Sequence, residues 1–390
     1  MQKKKAMRKY KIIISGGGTG GHLFPALSIA DEIKLRFPDA EILFVGADNR
    51  MEMQRVPAAG YRIIGLPVIG FNRKNVLKNF NVIYRLIRSL RMAKKILRDF
   101  KPDVAIGVGG YASGPLLWMA SSLRIPVLIQ EQNSYAGLTN RLLGKRAAKI
   151  SVAFPKMDDY FPHDRIIVTG NPVRKALETL ILNDQFIHEA LSWFGLETGK
   201  PVLLILGGSL GARTINQSIR KGLDSVINAG IQVIWQTGRL SYEEIKEYLL
   251  NHYKLQDESK NEKQNGLLCK GLFVSDFISR MDYAYAVADL VVSRAGAGTL
   301  SELCLLRKAV ILIPSPNVAE DHQTKNARML SDHDAAILIP DKDAEEQLVT
   351  TVVALLNDKK RLNGLSENIA RFAQHDSAKR IVDEIFKLII

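Results

Sequence analysis

Short apolar runs recur along the chain. Each is followed by glycine or polar residues and then by a stretch with helical spacing. The first is Ile12–Ile14, which runs through Ser15 into Gly16-Gly17-Gly18-Thr19-Gly20-Gly21-His22. Glu41–Val45, Asp103–Val108, Pro126–Gln130 and Ile166–Thr169 follow, then Pro201–Leu206, Val233–Gln236, Gly266–Lys270, Leu290–Ser293 and Val310–Ile313. Runs that stay apolar instead of alternating belong to strands buried on both faces, as in parallel sheets covered by helices. Strand-then-helix order from end to end predicts an α/β fold with parallel sheets. The unit restarts at Pro201, where PVLLIL leads into Gly207-Gly208-Ser209-Leu210-Gly211-Ala212. This echo predicts two similar α/β domains joined near Gly170–Arg174, and 390 residues suit two domains.

The polar clusters all follow strands. Ligands of such sheets sit beyond the carboxyl ends of the strands, so the clusters are expected to converge on one crevice. Gly16, Gly18 and Gly21 fit G-x-G-x-x-G, and the loop opens a helix with Pro25 placed in its first turn. Backbone amides at such a point suit a phosphate or another oxygen-rich anion. His22 stands where the loop becomes the helix and is a candidate to face substrate. A second glycine-rich loop is Gly109–Pro115, and further clusters are Glu131-Gln132-Asn133 and Gly170-Asn171-Pro172. Arg294–Glu302 (RAGAGTLSE) is another loop into a helix, with a carboxylate about one turn inside that can accept from sugar hydroxyls. Asp48, just after the second strand, keeps a dinucleotide reading open.

Composition narrows the class. Cys269 and Cys304 lie far apart in apolar contexts, which suggests neither a disulfide framework nor a metal site and fits a reducing compartment. The lysines near the N-terminus precede only three isoleucines, so secretion is not expected, and no apolar run approaches the roughly 18 residues of a membrane span. Asp332-His333-Asp334 and Asp341-Lys342-Asp343 read as surface loops rather than metal ligands. HExxH and a Walker lysine are absent from the sequence. The formal charge is +14, and much of it is local: Gly70–Lys101 holds ten basic residues against the single acid Asp99. Val76, Leu77, Phe80, Val82, Ile83, Leu86, Ile87 and Leu90 are interleaved with them. A basic amphipathic stretch of this kind points to anionic lipid headgroups, with Leu116 and Trp118 as further contacts, and nucleic acid is not expected.

Seven motifs in order carry a resemblance: GGTGGHLFPALSIA at Gly17–Ala30, GGYASGP at Gly109–Pro115, EQNSYAGLTN at Glu131–Asn140, GNPVR at Gly170–Arg174, GGSLGAR at Gly207–Arg213, SRAGAGTLSE at Ser293–Glu302 and HQTKNA at His322–Ala327. The chain resembles the peripheral membrane glycosyltransferases of family 28 that complete lipid II in bacterial peptidoglycan synthesis. One departure is Gln130, where some members have histidine. The resemblance implies a GT-B fold, two Rossmann-like domains with parallel sheets facing a cleft. The N-terminal acceptor domain would cover 8–170, with a last helix near 368–390 packing back on it, and the UDP-sugar domain 173–365. It implies inverting transfer of N-acetylglucosamine from UDP-N-acetylglucosamine to the C4 hydroxyl of the muramoyl sugar of lipid I, without an obligatory metal or other cofactor. It also implies work at the cytoplasmic face of the inner membrane, with an anionic membrane surface and other cell-wall synthesis proteins as partners. Carried over by motif, the donor contacts are Thr19, Gly20, Gly21, Asn133, Arg174, Ser209, Ile278 through its backbone, Ala297, Gly298, Thr299, Leu300, Ser301, Glu302 and Gln323. Gly110 and Tyr111 lie on the acceptor side. The base that deprotonates the acceptor is His22 or Glu131. The competing readings are a UDP-N-acetylglucosamine 2-epimerase, which shares the fold but leaves the basic apolar stretch unexplained, and a dinucleotide oxidoreductase, which explains only the first loop.

Overall fold

The computed structural model describes residues 9–69, 79–208, 211–253, 266–269, 271–318 and 321–389, with backbone alone for 79–81. The chain divides into two compact units at Lys175/Ala176, and the residues from Gln374 onward return to the first. The first unit is built on β1 (Lys11–Gly16), β2 (Glu41–Ala47), β3 (Arg62–Leu66), β4 (Val104–Gly109), β5 (Val127–Glu131), β6 (Lys149–Val152) and β7 (Ile166–Val168). Its sheet runs β3-β2-β1-β4-β5-β6-β7, parallel throughout. The second unit has β8 (Val202–Leu206), β9 (Gln232–Gln236), β10 (Leu267–Cys269), β11 (Leu272–Ser275), β12 (Leu290–Ser293), β13 (Ala309–Leu312) and β14 (Ile337–Leu338), in the order β10-β11-β9-β8-β12-β13-β14. Setting aside the edge strands β7 and β10, the two orders are the same, so the sequence echo is a repeated topology. The run at Gly266–Lys270 does form a strand, but β10 pairs antiparallel with β11 at the sheet edge.

Unbroken apolar runs follow from helices on both faces. In β1, Ile12 and Ile14 enter one core layer and Ile13 the other, and all three are fully buried. In β8, Leu204 and Leu206 face one layer while Leu203 and Ile205 face the opposite one. The chain's last helix, Ser377–Lys387, belongs to the first unit's core through Ile381, Val382, Ile385 and Phe386. It lies against the helix Gly20–Arg36. There Phe386 stacks on Phe37 with ring centroids 4.0 Å apart, Tyr10 meets both rings edge-on, and Arg36 reaches Asp383 at 2.6 Å. Arg380 donates to the Val168 carbonyl of the edge strand β7 at 2.6 Å.

Because the side chain of Ile385 is fully buried in this seam, Ile385→Ala should lower stability by about 2–5 kcal/mol. Chemical denaturation checks this, and a loss under about 0.5 kcal/mol, the size of an ordinary surface change, would mean that the last helix is not part of the core.

Candidate active site

In the first sheet the strand order reverses between β1 and β4. Such a switch point opens a crevice beyond the carboxyl ends of the two strands. The glycine-rich loops that follow these strands touch each other. A Cβ on Gly110 (φ +91°) would lie 2.5 Å from the Gly17 carbonyl oxygen, and one on Gly109 (φ +107°) would lie 2.4 Å from His22 Cδ2. Glycine is required at both positions, by dihedral and by space. The buried Ser113 hydroxyl joins the loops, 2.9 Å from the Gly109 carbonyl and 3.1 Å from that of Ser15.

His22 is the third residue of the helix Gly20–Arg36 and is half-buried. Its Nδ1 lies 3.2 Å from the Gly17 carbonyl and 3.2 Å from the Thr19 hydroxyl. Thr19, exposed, is the extended N-cap residue, and its carbonyl accepts the amides of His22 and Leu23. Pro25 falls in the second turn rather than the first, so the N–H it lacks is the one that would have bonded to the Gly21 carbonyl. The expectation that this loop offers its amides to an anion needs correction at Gly18, whose N–H donates to the Glu52 carboxylate at 2.8 Å. A carboxylate beneath the loop suits a hydroxyl-bearing ligand better than a phosphate. Asp48, which kept the dinucleotide reading open, has its carboxylate against Gly65 of β3; the carboxylate at the β1 loop is that of Glu52. Gly110 is half-buried and Tyr111 exposed at the same rim.

At the end of β5, Glu131 is buried. Its Oε1 accepts the Asn133 backbone and side-chain N–H groups at 3.1 Å each, and its Oε2 accepts from Asn140 Nδ2 at 2.8 Å. Burial pushes its pKa up from the usual carboxylate value, against the pull of these donors. This arrangement makes Glu131 the anchor of the turn that carries Asn133. Gln130 is fully buried: its side-chain amide donates to Asn171 Oδ1 at 2.8 Å and its side-chain carbonyl accepts from Gln132. Asn171 in turn donates to the Gln132 backbone carbonyl at 3.0 Å. The Gly170-Asn171-Pro172 triplet therefore buttresses the Glu131–Asn133 cluster from behind.

In the second sheet the same reversal falls between β8 and β12. The loop after β8 carries Gly207, Gly208 and Gly211, and Ser209 lies outside the described residues. After β12 the chain enters the helix Ala297–Leu305, with Gly296 as an extended N-cap. The amides of Ala297, Gly298 and Thr299 form a positive helix end. Ser301 Oγ donates back to the Ala297 carbonyl at 3.0 Å. Leu300 is fully buried in the core, so only its backbone is available to a ligand. Glu302 is the sixth residue of the helix, half-buried, and accepts from the buried Tyr285 hydroxyl at 3.0 Å. A helix-end charge effect fades within the first turn, so helix capping does not explain this carboxylate.

Arg294 braces the loop. Its guanidinium donates to the Ile313 and Pro314 carbonyls at 3.0 and 3.2 Å and pairs with Asp341, which also accepts from Thr214 Oγ1 at 3.0 Å. Asp341 is thus an internal strut, not the bare surface loop that its Asp-x-Asp triplet suggests. Asp334 of the other triplet is exposed and pairs bidentately with Arg361 at 2.6 Å per bond. Among the described residues no group of three or more His, Cys, Asp or Glu is placed to hold a metal ion. Ile278 is buried and its N–H donates to Gln236 Oε1 at 3.0 Å, which leaves its carbonyl for a ligand. Gln323 uses its side-chain carbonyl on the Ser315 N–H at 2.8 Å, which leaves amide donors. Arg174 is exposed just before the short helix Lys175–Glu178. Two residues that bear on these sites carried no sequence signal. Glu52 belongs to no motif, and Tyr285 reads as one aromatic among the apolar residues before β12.

An apolar surface lies on the first unit. The early part of the helix Asn79–Phe100 exposes Ile83, Tyr84, Leu86 and Ile87, while its later part buries Ala93, Leu97 and Phe100. The helices Ser113–Ser122 and Leu138–Gly144 pack in sequence beside it and expose Trp118, Leu138 and Leu142. Arg146 sits 3.7 Å from the centre of the Trp118 ring, and Arg88, Arg91, Lys94, Lys95 and Arg98 are exposed along the long helix. Leu116, expected on this surface, is fully buried in the core; residues 70–78 of the basic stretch lie outside the described residues. Among the described residues no helix is long and apolar enough to cross a membrane.

Residues 12–152 match the glycosyltransferase family 28 N-terminal domain and residues 202–381 the family 28 C-terminal domain. The chain is 58% identical over 383 residues, 98% of its length and 99% of the relative's, to the UDP-N-acetylglucosamine–N-acetylmuramyl-(pentapeptide) pyrophosphoryl-undecaprenol N-acetylglucosamine transferase of Parabacteroides distasonis. The crystal structure of Acinetobacter baumannii MurG matches with a TM-score of 0.75 at 26% identity, over 97% of this chain and 100% of that one. A crystal structure of a UDP-N-acetylglucosamine 2-epimerase matches with a TM-score of 0.63 at 16% identity, over 97% and 96% of the two chains, a likeness of fold alone.

The Glu302 carboxylate, held by Tyr285, has the acceptor character that a ribose diol requires. Glu302→Ala is expected to weaken UDP binding about tenfold or more, since hydrogen bonds to a charged group are worth about 1.5–3 kcal/mol. Calorimetry with UDP beside a thermal melt checks it. Unchanged affinity with a lowered melting temperature would leave Glu302 a structural residue.

Proposed function

The chain belongs to glycosyltransferase family 28, and from that premise we propose how its residues perform the family's reaction. It transfers N-acetylglucosamine from UDP-N-acetylglucosamine to the N-acetylmuramyl-pentapeptide pyrophosphoryl-undecaprenol acceptor, lipid I, to give lipid II. The observation that carries this reading is end-to-end relatedness to a transferase of that activity; the 2-epimerase likeness extends to fold only.

In our proposal the second unit holds the donor. The amides of Ala297–Thr299 face the diphosphate, Glu302 takes the ribose, and Ile278 and Gln323 offer a carbonyl and amide donors to the rest of the nucleotide. The first unit holds the acceptor, with Gly110 and Tyr111 at the rim, and Thr19, Gly20, Gly21, Asn133 and Arg174 complete the donor contacts. The C4 hydroxyl of the muramoyl sugar attacks the anomeric carbon from the face opposite UDP. Its proton passes to His22 Nε2, the new C–O bond forms, and the electron pair of the old one leaves on the β-phosphate, with inversion. Helix-end amides can meet the developing charge, so the proposal requires no metal. We assign the base to His22 and not to Glu131. The imidazole stands at the rim of the crevice, whereas the Glu131 carboxylate is buried on its own loop's amides, where it positions Asn133.

The acceptor's lipid stays in the bilayer, so the enzyme must come to it. We propose that the face bearing Ile83, Tyr84, Leu86, Ile87, Trp118, Leu138 and Leu142, ringed by basic residues, rests peripherally on the cytoplasmic leaflet of the inner membrane, where other cell-wall synthesis proteins also work.

Two measurements follow. His22→Ala should cut turnover about 10²- to 10⁴-fold, the usual loss on removing a general base, while UDP-N-acetylglucosamine affinity holds; wild-type turnover in this variant would exclude His22 as the base. In liposome sedimentation, binding should rise with anionic lipid and fall with salt, at about 1 kcal/mol per engaged basic residue. Equal binding to neutral and anionic vesicles at both salt levels would count against the assigned face.

A further inference from the structure

Glu52 opens the helix Glu52–Ala58 after β2 and is 1% exposed. Its Oε2 accepts the Gly18 N–H at 2.8 Å and its Oε1 accepts the Ala47 N–H at 3.0 Å. Two glycines make room for it: a Cβ on Gly17 would lie 2.3 Å from its carboxyl carbon, and one on Gly46 would lie 2.6 Å from its Cγ. The carboxylate therefore fills the space beneath the first glycine loop and ties that loop to the end of β2. On the loop's other side, the Gly17 carbonyl lies 3.2 Å from His22 Nδ1. A carbonyl oxygen only accepts, so this contact puts the neutral imidazole's proton on Nδ1 and its lone pair on Nε2. The Thr19 hydroxyl oxygen, 3.2 Å from the same nitrogen, can share that N–H.

We propose that Glu52 is a positioning residue for His22: by clamping Gly17–Gly18 it holds the Gly17 carbonyl against Nδ1 and so fixes the tautomer whose Nε2 accepts the proton. This rests on reading His22 as the base. Glu52 itself touches no substrate. Glutamine cannot replace it, because two backbone N–H groups converge on two acceptor oxygens. A carboxamide supplies one oxygen and an NH₂ that would face an N–H donor.

The test uses the full chain with selectively ¹⁵N-labelled histidine, with His22→Ala identifying the His22 ring signals. The wild type should show His22 in the Nδ1–H form. Glu52→Gln should give a mixture of tautomers and a turnover lower by about 10- to 100-fold, the range for partners that orient a histidine, with KM for UDP-N-acetylglucosamine unchanged. Gly17→Ala serves as a second probe should Glu52→Gln fail to fold. It keeps the carboxylate but drives a methyl group into its seat, and the same two changes are expected. If either folded variant keeps a pure Nδ1–H tautomer, Glu52 does not position His22, whatever happens to the melting temperature. Should His22→Ala retain wild-type turnover, the base assignment falls, and the tautomer comparison still decides separately whether Glu52 sets the state of the ring.

Discussion

The first unit's site depends on two loops meeting backbone to backbone. Parallel neighbours in a sheet lie only about 4.8 Å apart, so the loops leaving β1 and β4 compete for the same space. Glycine at 109 and 110 resolves the competition, and the imidazole of His22 occupies the gap that a side chain at 109 would fill. Ser113 then bonds to both strand ends. Any side chain at either position would push the loops apart and take the ring with them.

The two units use one topology with different polar groups behind the loops. Beneath the β1 loop of the first lies a carboxylate, Glu52; behind the β12 loop of the second lies the Arg294–Asp341 ion pair, next to the N-terminus of a helix. A surface backed by an acid is suited to hydroxyl groups, and one formed by helix-end amides to a diphosphate. The same crossover geometry thus carries different polar groups behind its loops in the two halves, and the distinction comes from residues outside the glycines that the halves share.

How far these features were legible depends on what signal each leaves in the chain. Strands buried on both faces write continuous apolar runs, so β1, β2, β4, β5, β8, β12 and β13 stood out. β3, β6, β11 and β14 did not, because they are short, lie toward sheet edges or follow a hairpin, and lack a glycine cluster after them. Turn chemistry read well, since glycine and proline constrain the backbone directly; Pro25 was misplaced by one turn because nothing local marks where a helix entered through glycines begins. Burial was harder to read. Leu116 was expected at the membrane and Leu300 at the ligand, yet both side chains point into the core. Glu52 and Tyr285 were invisible for a related reason: each acts on a partner 34 or 17 residues away, and only the fold brings the pair together.

The docking of Ser377–Lys387 against the helix Gly20–Arg36 has a consequence for synthesis on the ribosome. Arg380 bonds to a strand 212 residues earlier in the chain. The first unit's nascent core therefore waits, with the faces of Tyr10 and Phe37 that meet Phe386 uncovered, while the entire second unit is made. The second unit is compact in its own right and can close first. The order of maturation then runs against the order of translation: the half begun first is finished after the other, and the helix that emerges behind the second unit seals a surface that had been open to chaperones and proteases while that unit was made.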